Sequence, residues 1–145
     1  MRHFIHRLVA VLQIAGGFWG MLSLGGRVLE MPTPVGLLAM LLGTAAFAVA
    51  LVAGVMLIAG QARAVPISMW VQLAQIPIVA SPLFSYGWHV GAVAAFGLRF
   101  GGGWSFGYAV PSMAWQWALQ GPDGVFLGIN FIAIMAFFLL FLTRR

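Results

Sequence analysis

The sequence predicts an all-α integral membrane protein with four transmembrane helices and both termini cytoplasmic, and three observations carry that prediction. The first is residues 35–60, twenty-six residues without a charge in which Thr44 is the only polar side chain. At about 1.5 Å per residue a helix of that length reaches roughly 39 Å, beyond the ~30 Å hydrocarbon core of a bilayer. The second is composition: hydrophobic residues make up 63% of the chain and charged residues 6%, with a mean hydropathy of +1.05. A water-soluble domain carries about 25% charged residues. The third is where the charges fall. All seven basic residues are Arg, placed singly or in pairs at the ends of apolar runs, as topology signals are.

Read in order, the chain forms one four-span membrane domain over residues 1–145. The first span, about 5–26, follows a basic head containing Arg2, His3, His6 and Arg7, and no A-x-A cleavage pattern follows its apolar run. Gly16 and Gly20 stand one helical turn apart, a spacing that lets helices approach closely in lipid. Pro32 and Pro34 close the first connection. In the second span, 35–60, Ala46, Ala50 and Gly54 repeat at four-residue spacing and form a second packing stripe. Pro66 suits the first turn of the third span, 67–86.

That third span is irregular because it contains Pro77 and Pro82, each removing a backbone donor and clashing with the preceding turn. In lipid the carbonyls so freed need partners inside the protein. Gln72 and Gln75 share a helix face just ahead of Pro77, and His89 lies near the span's outer end. Gln72, Gln75, Pro77 and His89 are therefore the candidate polar or ligand site.

Residues 87–123 form an external cap rich in Gly and aromatic residues. From Val90 to Phe100 and from Trp104 to Val110 large and small residues alternate on either side of Gly101-Gly102-Gly103, a hairpin pattern. The small residues Gly91, Ala92, Ala94 and Ala95 suit a continuation of the third helix to Gly97 as well. Residues 111–120 read as a short interfacial helix, opened by Pro111 and carrying Trp115 and Trp117 at the membrane surface. Asp123 reads as the N-cap of the fourth span, 124–143. Arg2, Arg7, Arg63, Arg144 and Arg145 then lie inside and Arg27 and Arg99 outside, as the positive-inside rule requires.

Chemistry-bearing residues are few. Without cysteine there is no disulfide, thiolate metal site or cysteine nucleophile. Glu30 and Asp123, the only carboxylates, fall in connections, so neither a catalytic carboxylate pair nor a mid-membrane proton carrier is visible. No nucleotide or metalloprotease motif occurs. The sequence thus gives no catalytic residue, no metal and no cofactor, and the net charge of +5 is read as topology rather than nucleic-acid binding. The expected protein is a multi-pass membrane protein, placed in a bacterial inner membrane, whose partners are the lipid bilayer and a second copy or a larger membrane protein. Its expected role is that of a non-enzymatic packing subunit. The alternative is a homo-oligomeric pore or small-molecule carrier using the polar site at the broken third helix.

Overall fold

Nine short or long elements follow one another in the computed structural model, which describes residues 2–119 and 121–144. Helix α1 (Arg2–Gly25) and helix α2 (Pro34–Ile58) are joined through a single 3-10 turn, Val28–Glu30. Helix α3 (Ala64–Ala74) leads into strands β1 (Pro77–Ala80), β2 (Ser85–Arg99), β3 (Gly103–Ala118) and β4 (Phe126–Asn130), and helix α4 (Phe131–Leu142) ends the fold.

The first two predicted spans correspond to α1 and α2, the two helices among the described residues that are long and apolar enough to cross a membrane. Thr33 caps α2, its Oγ1 accepting from the Gly36 N–H at 3.1 Å, with Pro34 at the first helical position. The helices pack as an antiparallel pair because small residues line the contact. A Cβ on Gly17 would lie 2.8 Å from both Leu51 N and Phe47 O, and one on Gly54 would lie 2.8 Å from Ala10 O. Ala50 and Ala53 are fully buried and Gly20 lies under the Phe47 ring. Ala46 is half-buried beside the same cluster. Gly16 does not face α2; it abuts the backbone of Gly91 in β2.

The all-α four-span architecture is overturned by the rest of the chain, which adds two short helices and a four-stranded antiparallel sheet. The predicted third span stops at Ala74. Gln75 is its C-cap and Pro77 opens a strand instead of kinking a helix, since a proline without a donor fits the first position of a strand. Pro82 lies in the turn that follows, where Ser81 Oγ accepts from Phe84 N at 3.0 Å. The glycine-flanked alternation does form a hairpin, with Gly101 and Gly103 at positive φ, but it runs from Ser85 to Ala118.

The predicted interfacial helix over 111–120 is part of β3, where Met113 and Trp115 oppose Val90 and Trp88 and join the same buried cluster. A period of two, not 3.6, brings those side chains inward. The predicted fourth span is reduced to α4, because β4 takes up residues 126–130 and Asn130, not Asp123, caps the helix by accepting from Ile132 N at 3.2 Å. Gln120, placed in the expected interfacial helix, and Met1 and Arg145, placed at the inner face, lie outside the described residues.

Strand β2 is central. One of its edges pairs with β3 throughout, while the other pairs with β1 at Ser85–Gly87 and with β4 at Ala95–Arg99. It bends at a register shift between Gly91 and Val93. Gly91 has φ +83° and sits against α1, where a Cβ would fall 2.6 Å from Leu12 O, so only glycine fits. The core divides into two clusters. One gathers Val9, Ala10, Leu57, Ala64, Val65, Ala136 and Leu140; the other gathers Leu24, Phe47, Ala50, Ala53, Val71, Trp88 and Val90.

Gly17→Ala is expected to force α1 and α2 apart and lower stability by about 1–3 kcal/mol, the usual cost of overpacking. Gly25→Ala, where a Cβ meets nothing within 4 Å, should change stability by less than about 1 kcal/mol. Thermal unfolding of the two variants in a membrane mimetic checks the contrast, and equal midpoints would remove the close helix contact.

Candidate functional site

Between the two apolar clusters runs a layer of buried polar side chains. On α3, Ser68, Gln72 and Gln75 follow at i, i+4 and i+7 and so share one face; all three are buried. Ser68 Oγ donates to Gln13 Oε1 of α1 at 3.0 Å. Gln75 bridges two elements, its Nε2 donating to the Val71 carbonyl at 3.0 Å and its Oε1 accepting from Val90 N of β2 at 2.8 Å. Asn130 is equally engaged, its Oδ1 accepting from Ala94 N at 3.2 Å while its own N–H donates to the Ile76 carbonyl at 2.9 Å. Tyr86 Oη donates to the Ala74 carbonyl at 2.6 Å.

These bonds have a common purpose in the fold. Residues 88–94 of β2 lie between the stretch paired by β1 and the stretch paired by β4, and among the described residues no strand lies beside that edge. The Gln75 and Asn130 side chains stand in for the missing strand by accepting from Val90 and Ala94. A buried backbone N–H left without an acceptor is destabilising by about 1–3 kcal/mol, which is why amides are spent there.

The four residues proposed as a polar site are not brought together. Gln72 and Gln75 face the interior, yet Pro77 is exposed at the start of β1. His89 points away from the Trp88 and Val90 side of β2 and pairs its Nε2 with Ser112 Oγ at 2.7 Å. Among the described residues the Gln72 amide has no hydrogen-bond partner, and Gln13 Nε2, Ser85 Oγ, Trp88 Nε1 and Asn130 Nδ2 are buried without one. Both polar ends of Gln75 are occupied by the protein itself, so it supports the fold internally. No cluster of three or more metal-ligating side chains occurs among the described residues.

A second feature is the far end of the hairpin. Trp104, Phe106 and Tyr108 of β3 are 69%, 64% and 78% exposed. On the same face their β2 partners are Leu98, Phe96 and Ala94, which β4 extends with Leu127 and Ile129. Phe96 and Trp104 stack with centroids 5.1 Å apart. Between Trp104 and Val110 the opposite face of β3 holds only Ser105, Gly107 and Ala109. Beyond β2 no described strand lies next to β3, so its outer edge is open. The alternation was readable in the sequence; the open edge was not, because edge position is a property of topology.

The chain matches no known protein family, no curated protein and no solved structure, so the geometry alone apportions the roles of the two amides. Gln75→Leu removes the acceptor of Val90 N and should lower stability by about 1–3 kcal/mol, whereas Gln72→Leu should cost less than about 1 kcal/mol. Unfolding of both single variants under one condition measures the difference, and a Gln72 effect as large as that of Gln75 would contradict the assigned support.

Proposed function

We propose that this chain is a small, non-enzymatic membrane subunit that assembles with copies of itself through the open edge of β3. The observation that carries the reading is that edge, a long strand with large exposed aromatic residues and, among the described residues, no strand paired on its outer side. Residues 103–119 contain no charge, so the edge lacks the lysines and inward charges with which water-exposed sheets block further pairing. Membrane placement is supported by α1 and α2 and by the outward side of α2, where Leu38, Leu41, Val49, Val52 and Val55 are exposed. In hydrocarbon each unpaired N–H or C=O costs several kcal/mol, and open sheet edges are covered by protein.

The strand is complementary to itself. Paired antiparallel about a two-fold axis at Gly107, Phe106 falls opposite Tyr108 and Trp104 opposite Val110, with Ser105 opposite Ala109 on the other face. Large side chains then meet large ones and small meet small, as an isologous contact requires. A larger membrane-protein partner would use the same edge by the same backbone bonding, but it lacks this self-matching argument.

The cysteine-free sequence makes the test direct. Single cysteines at Ser105, Gly107 and Ala109 are introduced in turn, and membranes containing each variant are oxidised. At Gly107 an added Cβ meets nothing within 4 Å, and in the paired state the two copies bring these atoms to roughly 4.5–5.5 Å. Disulfide-linked dimers are expected at Gly107, with Gly25→Cys on α1 remaining monomeric. If none of the three strand positions cross-links above the Gly25 control, self-assembly through β3 is wrong.

A further inference from the structure

A cavity of about 720 Å³ lies between the middle of α1 and the bent part of the hairpin. Leu12, Ala15 and Trp19 of α1 form one wall, and Val110, Ser112 and Met113 of β3 form the other. Gly16 and Gly91, which meet backbone to backbone, line it as well. A volume of this size takes a small apolar ligand. Ser112 Oγ lies 2.7 Å from Nε2 of His89 on the neighbouring strand, and both residues are half-buried. Apart from Ser112, the only polar side chain in the lining is Trp19, whose indole nitrogen has no hydrogen-bond partner among the described residues.

The hairpin does not need the Ser112–His89 contact to close. Backbone pairing joins β2 to β3 at His89 and Ala114 and at Gly91 and Ser112, and it continues on both sides. Two apolar residues would serve the hairpin equally. Gly91 touches Leu12 and Gly16, close to the midpoint of α1, and His89 stands two residues, roughly 7 Å, from it along the strand. On the membrane placement proposed above, an ionisable side chain at that depth marks a site. A hydroxyl has one donor and two acceptor places, and a neutral imidazole has one of each. We propose that this cavity binds an apolar molecule through a carbonyl oxygen. His89 Nε2–H donates to Ser112 Oγ, and the serine O–H donates onward to the carbonyl; bonds linked in such a chain strengthen one another. The Trp19 indole is likewise a donor only, so both polar groups of the lining suit a ligand that accepts. His89 acts here as a positioning residue, holding the hydroxyl toward the ligand.

The experiment irradiates the full chain, purified in a neutral detergent, with benzophenone. This apolar ketone reacts with C–H bonds through its own carbonyl oxygen, so mass spectrometry of labelled peptides locates that oxygen. Labelling is expected at residues 110–113 and 11–19. The long-chain ketone 2-dodecanone should suppress it at a concentration about fivefold or more below that of dodecane, the effect of one hydrogen bond. In Ser112→Ala that advantage should fall to about twofold or less, whereas Ser112→Thr, which keeps the hydroxyl, should retain it. His89→Leu should lose most of the advantage, and His89→Gln, whose amide still donates to Oγ, should recover it. Ala15→Phe, at an exposed position on the cavity wall, should abolish labelling there by filling the space.

Labelling away from the two walls, or equal competition by ketone and alkane in the wild type, overturns the proposal. A ketone advantage that Ser112→Ala leaves intact overturns it too, and one that survives His89→Leu overturns the positioning role. Each variant is compared with itself, ketone against alkane, so changes in folding or in partition into the micelle cancel from the ratio. The hydrogen-bond chemistry rests on neither the membrane placement nor the β3 edge. Cross-linking through Gly107→Cys reports on that edge separately, so the two readings fail independently.

Discussion

The fold depends on how one strand is finished. Strand β2 is too long and too bent for a single partner to serve its inner edge, so β1 takes its first residues, β4 its last, and residues 88–94 are left between them. Gln75 from the end of α3 and Asn130 from the start of α4 supply the acceptors for Val90 and Ala94. Each amide is thus a joint as well as a bond, fixing where a helix ends or begins against the sheet. The bend itself is possible because Gly91 lies backbone to backbone against Gly16 on α1. In an apolar surrounding these few polar contacts matter more than their number suggests, since water is not there to replace them.

From that joint the remaining architecture follows. Fixing β2 against α1 places Trp88 and Val90 on the α1–α2 pair, where Trp88 meets Phe47 edge-on at 6.1 Å and Trp115 donates to the Ala39 carbonyl at 2.9 Å. The outer half of the hairpin is carried past this core and exposes its aromatic face and its edge. The same packing brings the start of α1 and Arg144, beyond α4, to one cavity beside the α2–α3 turn. The open β3 edge and that cavity are therefore consequences of one arrangement, located on different elements.

Sequence reading succeeded where composition alone decides. The uncharged run 35–60 forms a single helix, α2, long and apolar enough to cross a membrane. Sequence reading failed where apolar content is shared by two structures. Residues 77–100 are as hydrophobic as a membrane helix and equally so as a buried strand, and periodicity alone does not separate the two over short runs. Pro77 signalled the break but not what followed it.

Proline commonly opens helices, so Pro111 in isolation suggests one; only the cross-strand pairing of Met113 with Val90 shows otherwise. Gln75 could be expected inside, but its acceptor role toward Val90 spans fifteen residues of chain and a change of element. Asp123, at the apparent start of the apolar run, satisfies the same local capping rule as Asn130, so the sequence does not single out Asn130 as the cap.

The most direct test is amide hydrogen exchange, resolved to single residues, on the full chain in a membrane mimetic. Among the described residues no strand lies on the edge to which the Val90 and Ala94 N–H groups point, so their protection reports on Gln75 and Asn130. The account predicts that both exchange as slowly as ladder amides of β2 such as Phe96. Exchange as fast as that of the turn residue Gly101 would show the gap to be open, and would contradict the joint on which this fold is built.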